Sequence, residues 1–358
     1  MKIVVFGLTV SSSWGNGHAT LWRGLARGLA DLGHRVVFFE RDVPYYAEHR
    51  DATTLDGGEL CLYRALGDVL GRARAELADA DVGMVTSYCP DARAAAAEVL
   101  GSSAEVHAFY DLDTPVTLER LARGERVDYV PEGGLGEFDL VLSYTGGRAL
   151  DELRTRLGAR RVEPLYGSVD PRVHRPVTPD ERFRADLAYL GTYAADRQPA
   201  LEAMFLEVAR RLPSHSFLIG GSLYPPDFPW RPNVRYWPHV APPLHAAFYA
   251  SSSIQLSVTR RAMAEMGHCP SGRLFESAAC GTPVLTDPWE GVDSFFEPGR
   301  EILVARTTDE VVAHLSLGPE RLAAIGQAAR ARVLAEHTAK RRAEELVAAM
   351  ERAARRRT

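Results

Sequence analysis

The stretch that most strongly indicates chemistry begins at Pro270. Pro270, Ser271 and Gly272 open a helical pattern whose first backbone N–H groups would face an anion. Arg273 adds a full positive charge in the first turn, so the segment predicts a phosphate site. Glu276, one turn further on, is placed to accept hydrogen bonds from ribose hydroxyls. A carboxylate that only favours the helix N-terminus is the alternative for Glu276, and we prefer the ribose role.

A second candidate region is the loop between the first predicted strand and the first predicted helix. It is rich in glycine and hydroxyl residues and contains Trp14, Gly15, Asn16, Gly17 and His18. Open α/β sheets bind ligands at this end of a strand. Glu40, at the end of the second predicted strand, would bind a ribose in a dinucleotide site. The loop lacks the compact G-x-G-x-x-G turn, however, which disfavours a nicotinamide oxidoreductase.

Three side chains of the first half have two interpretations each. His18 is either a base or hydrogen-bond donor toward a substrate hydroxyl, or a histidine of a capping turn. Asp111 and Asp113 are spaced like a D-x-D metal site, but the turn before Pro115 explains one of them equally well. We therefore expect Asp111 and Asp113 to contact substrate in a cleft, and we predict no metal ion and no cofactor.

Composition limits the class of protein. The chain has 358 residues, 46% of them hydrophobic and 25% charged, which is typical of soluble globular proteins with two domains. A net charge of −5 disfavours nucleic acid as a partner. The four cysteines have no ligand spacing, and no stretch resembles a signal peptide or a membrane span, so we expect a cytoplasmic protein without stable membrane insertion.

Short β-branched or aromatic runs alternate with longer helical patterns, which predicts α/β domains with parallel sheets. In the first half the predicted strands are Lys2–Phe6, Arg35–Phe39, Val82–Thr86, Ala104–Phe109, Asp139–Ser143 and Val162–Tyr166. The predicted helices are His18–Leu32, Asp91–Leu100, Thr117–Gly124 and Gly147–Gly158. Residues 167–179 are dense in proline and turn formers, and we interpret them as a linker between domains.

The second half repeats the alternation. Its predicted strands are Leu187–Leu190, Ser216–Ile219, Val234–Trp237, Ile254–Ser257, Pro283–Thr286 and Ile302–Val304. Its predicted helices are Gln198–Leu212, Pro242–Ser252, Gly272–Ala279, Pro319–Glu336 and Ala339–Arg355. We predict an N-terminal Rossmann-like domain over residues 1–170, a second over 171–338, and a C-terminal helix over 339–358 that packs back on the first domain.

Several of these segments together resemble GT-B glycosyltransferases of group 1, also called family 4. The resemblance rests on residues 270–287, on the stretch Leu190 to Arg197, and on the linker around Asp170. Residues 13–18, 110–115, 273–276 and 336–338 look more specifically like the spore-maturation-type branch. The resemblance covers nearly the whole chain. It implies two doubly wound domains that face a central cleft, with C-terminal helices.

The resemblance also implies an activity and roles for individual residues. A nucleotide diphosphate sugar would be the co-substrate, held mainly by the second domain, and a small-molecule, glycan or peptide acceptor would be bound by the first. Glu276 matches the ribose-binding glutamate, and Arg197 matches the basic residue that steadies the diphosphate. The donor residues implied are Gly191, Tyr193, Gly220, Gly221, Pro270, Ser271, Gly272, Leu274 and Glu276. The cleft residues implied are Trp14, Gly15, Asn16, Gly17, Asp113 and His268.

His268 stands where the family often has a second glutamate, and Glu265 is the carboxylate nearest to it in the sequence. Arg197 and Arg273 would stabilise the departing diphosphate without a metal ion. Transfer with retention is expected of the family, whereas an inverting enzyme would use His18 or Asp111 as the base. A nucleotide-sugar epimerase and a non-catalytic nucleotide-sugar binder are the other functions that this fold and donor site allow.

Overall fold

Two parallel β-sheets, each packed against helices on both faces, organise the protein. The computed structural model describes residues 1–355, which divide into two units. The first unit comprises Met1–Gly167 together with residues 339–355, and the second comprises Ser168–Thr338. The last three residues of the predicted 339–358 segment lie outside the described residues. The expected α/β class is confirmed.

The first unit contains a seven-stranded parallel sheet. Its strands are β1 (Lys2–Gly7), β2 (Arg35–Arg41), β3 (Gly58–Tyr63), β4 (Val82–Thr86), β5 (Val106–Asp111), β6 (Leu140–Ser143) and β7 (Val162–Pro164). They are arranged in the order β3-β2-β1-β4-β5-β6-β7. Phe6 of β1 pairs in register with Phe39 of β2 and with Val85 of β4. Because the strand order reverses at β1, its carboxyl end is the topological switch point, where such sheets bind ligands.

Helices from both ends of the chain cover this sheet. They are α1 (His18–Asp31), α2 (Pro44–Ala47), α3 (Leu66–Ala78), α4 (Ala92–Leu100), α5 (Thr114–Ala122), α6 (Arg148–Leu157) and, from the C-terminal end, α14 (Ala339–Ala354). Helix α14 packs against α1, and Leu346 and Met350 are buried in that core. A Cβ atom on Gly28 of α1 would lie 2.7 Å from the Ala339 carbonyl oxygen. Glycine at position 28 therefore allows the two helices to approach closely.

The second unit contains a six-stranded parallel sheet in the order β10-β9-β8-β11-β12-β13. Its strands are β8 (Ala185–Leu190), β9 (Phe217–Gly220), β10 (Val234–Trp237), β11 (Ser252–Ser257), β12 (Val284–Thr286) and β13 (Leu303–Val304). Its helices are α7 (Gln198–Leu201), α8 (Glu207–Arg211), α9 (His245–Ala250), α10 (Arg261–Met266), α11 (Gly272–Ala279), α12 (Thr308–Leu315) and α13 (Pro319–Glu336). Here β8 is the switch point, since its neighbours are β9 and β11.

The structure contains elements that the sequence pattern did not predict. They are β3, α2, α3, α10 and α12. Strand β3 lies at the edge of its sheet and is only partly buried, so its sequence GELCLY lacks the continuous apolar run of the central strands. The predicted single helix Gln198–Leu212 is helical, but a π-helical segment over Glu202–Leu206 separates α7 from α8. Elsewhere the observed bounds of the strands and helices differ from the predicted bounds by a few residues, as is usual for element ends.

Candidate functional site

Arg273, the second residue of α11, links that helix to the first strand of the second unit. Its Nη1 donates to the Leu190 carbonyl oxygen at 2.6 Å, and its Nε donates to Ser271 Oγ at 3.2 Å. The guanidinium carbon lies 5.7 Å from the centroid of the Tyr189 ring. These contacts hold the positive charge at the N-terminal end of α11, where the helix itself already favours an anion.

Gly191 follows β8 directly and needs to be glycine because Arg273 lies so close. A Cβ atom at position 191 would lie 2.5 Å from Arg273 Nη1 and 2.6 Å from Tyr189 Oη. Gly191 N also donates to the Gly220 carbonyl at 2.8 Å, and a Cβ on Gly221 would lie 2.1 Å from the Gly191 oxygen. The three predicted donor glycines therefore lie together, and close packing against side chains at Gly191 and Gly220, and against backbone at Gly221, gives each of them a structural role as well.

Arg197 ends a short 3₁₀ turn near the same edge of the sheet. Its Nη1 donates to the Thr192 carbonyl at 3.2 Å, and its Nε has no hydrogen-bond partner among the described atoms. Burial lowers the pKa of Arg197, and the positive charges of Arg273 and Arg260 lower it further. The guanidinium groups of Arg273 and Arg260 thus both lie close enough to repel that of Arg197, an arrangement that an anion would stabilise.

Arg260 is a member of this cluster that the sequence analysis missed. It lies a few residues beyond the carboxyl end of β11, and its Nε is 3.1 Å from Asp196 Oδ2. Asp196 in turn precedes Arg197 in the 3₁₀ turn, so the ion pair connects two loops of one sheet edge. The signal that could have identified Arg260 is its position after a central strand, at the edge where open α/β sheets bind ligands.

Glu276 lies one turn after Arg273 on α11. Tyr249 Oη donates to Glu276 Oε2 at 2.7 Å. Burial alone would raise the pKa of Glu276, but His174, His245, the Tyr249 hydroxyl and Arg273 together hold it below its usual range. Glu276 is therefore ionised at neutral pH and can accept hydrogen bonds from a ligand. The two histidines beside it were not predicted, because they come from separate segments of the sequence.

The remaining donor residues surround the same helix and strand ends. Ser271 occupies the N-cap position of α11 without capping it by its side chain, and Pro270 precedes it. Leu274 is buried within the second unit, so its side chain belongs to the core. Tyr193 packs against Tyr224, whose hydroxyl donates to the Gly191 carbonyl at 3.1 Å.

His268 lies in the loop before α11 with a left-handed backbone, φ 45°. Its N–H donates to the Glu290 carbonyl at 2.6 Å, and its Nε2 is 4.0 Å from Glu290 Oε1. Glu265, the carboxylate nearest in sequence, instead pairs with Arg261 at 3.2 Å on an exposed helix surface. The carboxylate beside His268 in space is therefore Glu290, which the sequence analysis did not consider.

In the first unit, Glu40 shapes the loop between β1 and α1. Its carboxylate accepts hydrogen bonds from Thr9 Oγ1 at 2.6 Å, Val10 N at 2.6 Å, Ser11 N at 3.0 Å and Ser11 Oγ at 2.5 Å. The side chain is 1% exposed. A carboxylate used in this way cannot also bind a ribose, which removes the feature that favoured a dinucleotide site.

The same loop leads into α1 through Asn16. Asn16 Oδ1 accepts hydrogen bonds from His18 N at 3.0 Å and Ala19 N at 3.4 Å, so it caps the helix between Gly17 and the first turn. Gly15 has φ 70°, a conformation that favours glycine, and the Trp14 ring lies 4.1 Å from that of His49. The loop is thus fixed by its own hydrogen bonds at the switch point of the sheet.

His18 and Asp111 each lie near Asp113. His18 Nε2 is 3.9 Å from Asp113 Oδ2, which also accepts from Tyr88 Oη at 2.9 Å. Burial lowers the pKa of His18 despite the opposing effect of Asp113. Asp111 is 0% exposed, and burial raises its pKa to about 6. Asp113 N donates to Asp111 Oδ1 at 3.1 Å, and the charge of Asp113 adds to the effect of burial on the pKa of Asp111, so the two carboxylates lie close to each other.

Among the helices over residues 1–355, none is long and apolar enough to cross a bilayer. The four cysteines, all within the described residues, are buried and form no disulfide there. No curated protein sequence matches this chain closely enough to count as a relative. The family model described as "Glycosyl transferase-like" matches residues 197–348, which include Arg197, Arg260, Arg273 and Glu276.

Solved structures with a similar fold cover nearly the whole chain. Sucrose-phosphate synthase from Thermosynechococcus elongatus is 13% identical over 98% of both chains, with a TM-score of 0.68. The Anabaena protein HepE in complex with UDP and glucose is 13% identical over 98% of this chain and 99% of its own, with a TM-score of 0.65. The catalytic domain of starch synthase IV from Arabidopsis thaliana, bound to ADP and acarbose, is 12% identical over 99% of each chain, with a TM-score of 0.64. The chain therefore has the GT-B fold of two Rossmann-like α/β domains with C-terminal helices, and residues 197–348 match a glycosyl transferase-like family.

Proposed function

We propose that the protein is a glycosyltransferase that moves a sugar from a nucleotide diphosphate sugar to a hydroxyl or amine of an acceptor. The observation that carries this proposal is the group of Arg197, Arg260 and Arg273, of which Arg273 lies in the first turn of α11, with the ionised Glu276 one turn further on. The cationic cluster suits a diphosphate, and the carboxylate suits ribose hydroxyls. Similar structures with bound UDP or ADP add support.

The chemistry follows from where charge develops. As the bond between the sugar C1 and the diphosphate oxygen breaks, negative charge grows on the leaving diphosphate. Arg273 and Arg197 are already ordered by hydrogen bonds to Leu190 and Thr192, so little reorganisation is needed to meet that charge. We propose that these groups replace a metal ion in the reaction, and that the acceptor is bound by the first unit around Trp14, His18 and Asp113.

We propose transfer with retention of the anomeric configuration, as the resemblance to family 4 implies. Within that family, we propose that the protein belongs to the spore-maturation-type branch.

Inverting transfer is the second candidate, and one observation favours it. His18 combines a lowered pKa with an adjacent carboxylate, Asp113, so its neutral imidazole could accept the acceptor's proton. Asp111, the other candidate base, is 0% exposed, so it would need a local rearrangement before it could contact an acceptor.

The first test is a thermal-shift panel of nucleoside diphosphates and nucleotide sugars. A ligand that binds the native protein raises its stability by RT ln(1 + [L]/Kd), so the panel ranks donors directly. We expect a nucleoside diphosphate to stabilise the wild type and to stabilise Arg260→Ala much less. Arg261→Ala is the matched control, because Arg261 is the next residue but pairs with Glu265 on an exposed surface. Equal stabilisation of both variants would contradict the donor site.

The second test separates the possible functions by turnover. A transferase releases nucleoside diphosphate only when an acceptor is present, an epimerase converts the donor without one, and a binding protein shows no turnover. We expect acceptor-dependent turnover that persists in excess EDTA. Loss of activity in EDTA, with recovery on addition of Mn²⁺, would instead make Asp111 and Asp113 candidate metal ligands.

A further inference from the structure

Two imidazoles and one carboxylate meet inside the second unit. They belong to His174, His245 and Glu276, and one potential ligand atom from each lies within 4.8 Å of the other two. His174 follows the turn that begins at Asp170, His245 is the first residue of α9, and Glu276 lies on α11. Three segments that are distant in sequence therefore converge on one point.

The ring of His245 is oriented by the backbone. Its Nε2 is 3.0 Å from the Val240 carbonyl oxygen, to which it donates in the neutral tautomer. This places the proton on Nε2 and the lone pair of the ring on Nδ1. Histidines that ligate metals commonly donate their other ring N–H to a backbone carbonyl, which fixes the tautomer in the same way.

The other two groups are also held in place. The His174 N–H donates to the Asp170 carbonyl at 2.9 Å, and the Arg172 N–H donates to Asp170 Oδ1 at 2.9 Å, so His174 sits at the end of an ordered turn. Glu276 Oε2 accepts the Tyr249 hydroxyl. Hydrogen bonds of this kind from outside the ligand set fix the direction of a metal-binding carboxylate.

We propose that His174, His245 and Glu276 form a binding site for a transition-metal dication such as Zn²⁺. Two imidazoles with one carboxylate are a ligand set that leaves a fourth tetrahedral position open. Imidazole ligands favour Zn²⁺ and its neighbours over Mg²⁺ and Ca²⁺, which prefer oxygen. The single negative charge of the set partly neutralises the dication.

The site shares Glu276 with the proposed donor site, so this next step rests on the proposed function. A metal ion on the Glu276 carboxylate removes the hydrogen-bond acceptor that the ribose would use. Zn²⁺ and the nucleotide therefore exclude each other, and Zn²⁺ acts as an inhibitor that competes with the donor. The metal has no part in sugar transfer.

The experiment uses the untagged full chain with Zn²⁺ and Co²⁺ as probes. We expect one equivalent of Zn²⁺ to bind in competition with a chromophoric chelator, and Co²⁺ to give the visible absorption of a four-coordinate site. His245→Ala should weaken Zn²⁺ binding by at least about a hundredfold, since removing a ligand costs more than removing a supporting hydrogen bond. His314→Ala is the matched control, because His314 Nε2 also lies 3.0 Å from a backbone carbonyl, that of Val304, outside the cluster.

If His174→Gln and His245→Ala do not fold, X-ray absorption of the zinc-loaded wild type still tests the proposal by showing two imidazole ligands. Absence of tight Zn²⁺ binding, or equal binding by His245→Ala and the wild type, would overturn the site. Competition is measured with free Zn²⁺ held constant by a metal buffer, where UDP or ADP should weaken Zn²⁺ binding in proportion to its concentration. Nucleotide binding without Zn²⁺ tests the proposed function separately, so the two failures are distinguishable.

Discussion

Arg273 Nη1 donates to the carbonyl oxygen of Leu190 at 2.6 Å, which ties the first turn of α11 to the end of β8. The bond fixes a charged group with respect to a sheet edge rather than leaving it on a mobile side chain. The residues are 83 positions apart in sequence. An electrostatic catalyst requires this kind of order, because a group that must first reorient loses part of its effect on the transition state.

The first prediction concerns Arg273 itself. Arg273→Ala should lower kcat more than it weakens donor binding, because the charge it meets is largest in the transition state. We expect a loss of about 2–4 kcal/mol in transition-state stabilisation, the size found for one preorganised group. Arg273→Lys should recover only part of it, since an ammonium cannot fork across two oxygens.

Steady-state kinetics with varied donor provide the measurement for Arg273. Glu276→Gln is the contrasting variant, since ribose contacts persist through the reaction and their loss should raise the donor KM. A change in KM alone in the arginine variants, with kcat intact, would contradict a role in leaving-group stabilisation.

The second prediction uses the close contact between Gly191 and Arg273. Gly191→Ala places a methyl group 2.5 Å from Arg273 Nη1, so the guanidinium must move. We expect about tenfold weaker binding of nucleoside diphosphate, measured by calorimetry, because a displaced cation no longer meets the phosphates. Gly67→Ala is the control, since its Cβ would meet no atom within 4 Å. Unchanged affinity in Gly191→Ala would place the diphosphate elsewhere.

The third prediction is the protonation of His18. Burial outweighs Asp113, so the pKa of His18 lies below its usual value of 6.5 and the neutral imidazole dominates at neutral pH. Asp113→Asn removes the one charge that raises this pKa, and the pKa should fall further. Two-dimensional NMR of the imidazole ¹⁵N nuclei over a pH range provides the measurement.

The activity profile then distinguishes the stereochemical courses. If His18 is the base of an inverting enzyme, kcat/KM falls as the pH drops through the pKa of His18, and Asp113→Asn shifts that fall to lower pH. For the retaining reaction that we propose, the product keeps the anomeric configuration of the donor. In that case Asp113→Asn does not shift the pH dependence of kcat/KM. A His18 pKa above 6.5 would contradict the structural assignment.

The fourth prediction concerns stability. Glu40→Gln should lower the free energy of unfolding by about 2–4 kcal/mol, because two backbone N–H and two hydroxyl donors lose a buried carboxylate. Chemical denaturation followed by circular dichroism provides the measurement. Glu48→Gln, at an exposed position close by, should change stability by less than about 0.5 kcal/mol. Equal stability of the two variants would show that the loop does not depend on Glu40.

Local signals in the sequence are sufficient to predict helix α11 of the second unit. The helix at 272–279 was predicted at its observed bounds because its proline, serine and glycine opening and its small residues act within one turn. The ion pair between Arg260 and Asp196 could not be predicted in this way, since the two residues are 64 positions apart and only the fold brings them together. The proximity of His174 and His245 to Glu276 could not be predicted either, because the three residues come from separate segments of the sequence.

In the first unit, the sequence predicts the position of a polar residue but not its partners. Glu40 was correctly placed at the end of a buried strand, but a sequence pattern cannot tell whether a carboxylate is used by a ligand or by the protein itself. Strand β3 was missed because edge strands need less apolar surface than central ones. What the sequence predicts best is burial and periodicity, and what it predicts least is which polar groups pair with each other.

The packing of α14 on α1 determines when the first unit can finish folding during synthesis. Helix α1 is made early, yet its surface around Gly28 is covered by residues that follow the whole second unit in the chain. On the ribosome, the apolar side chains of α1 that Leu346 and Met350 bury must therefore wait for the last part of the chain to emerge. The second unit, by contrast, is continuous in sequence, so its core does not depend on a segment that is synthesised after another domain.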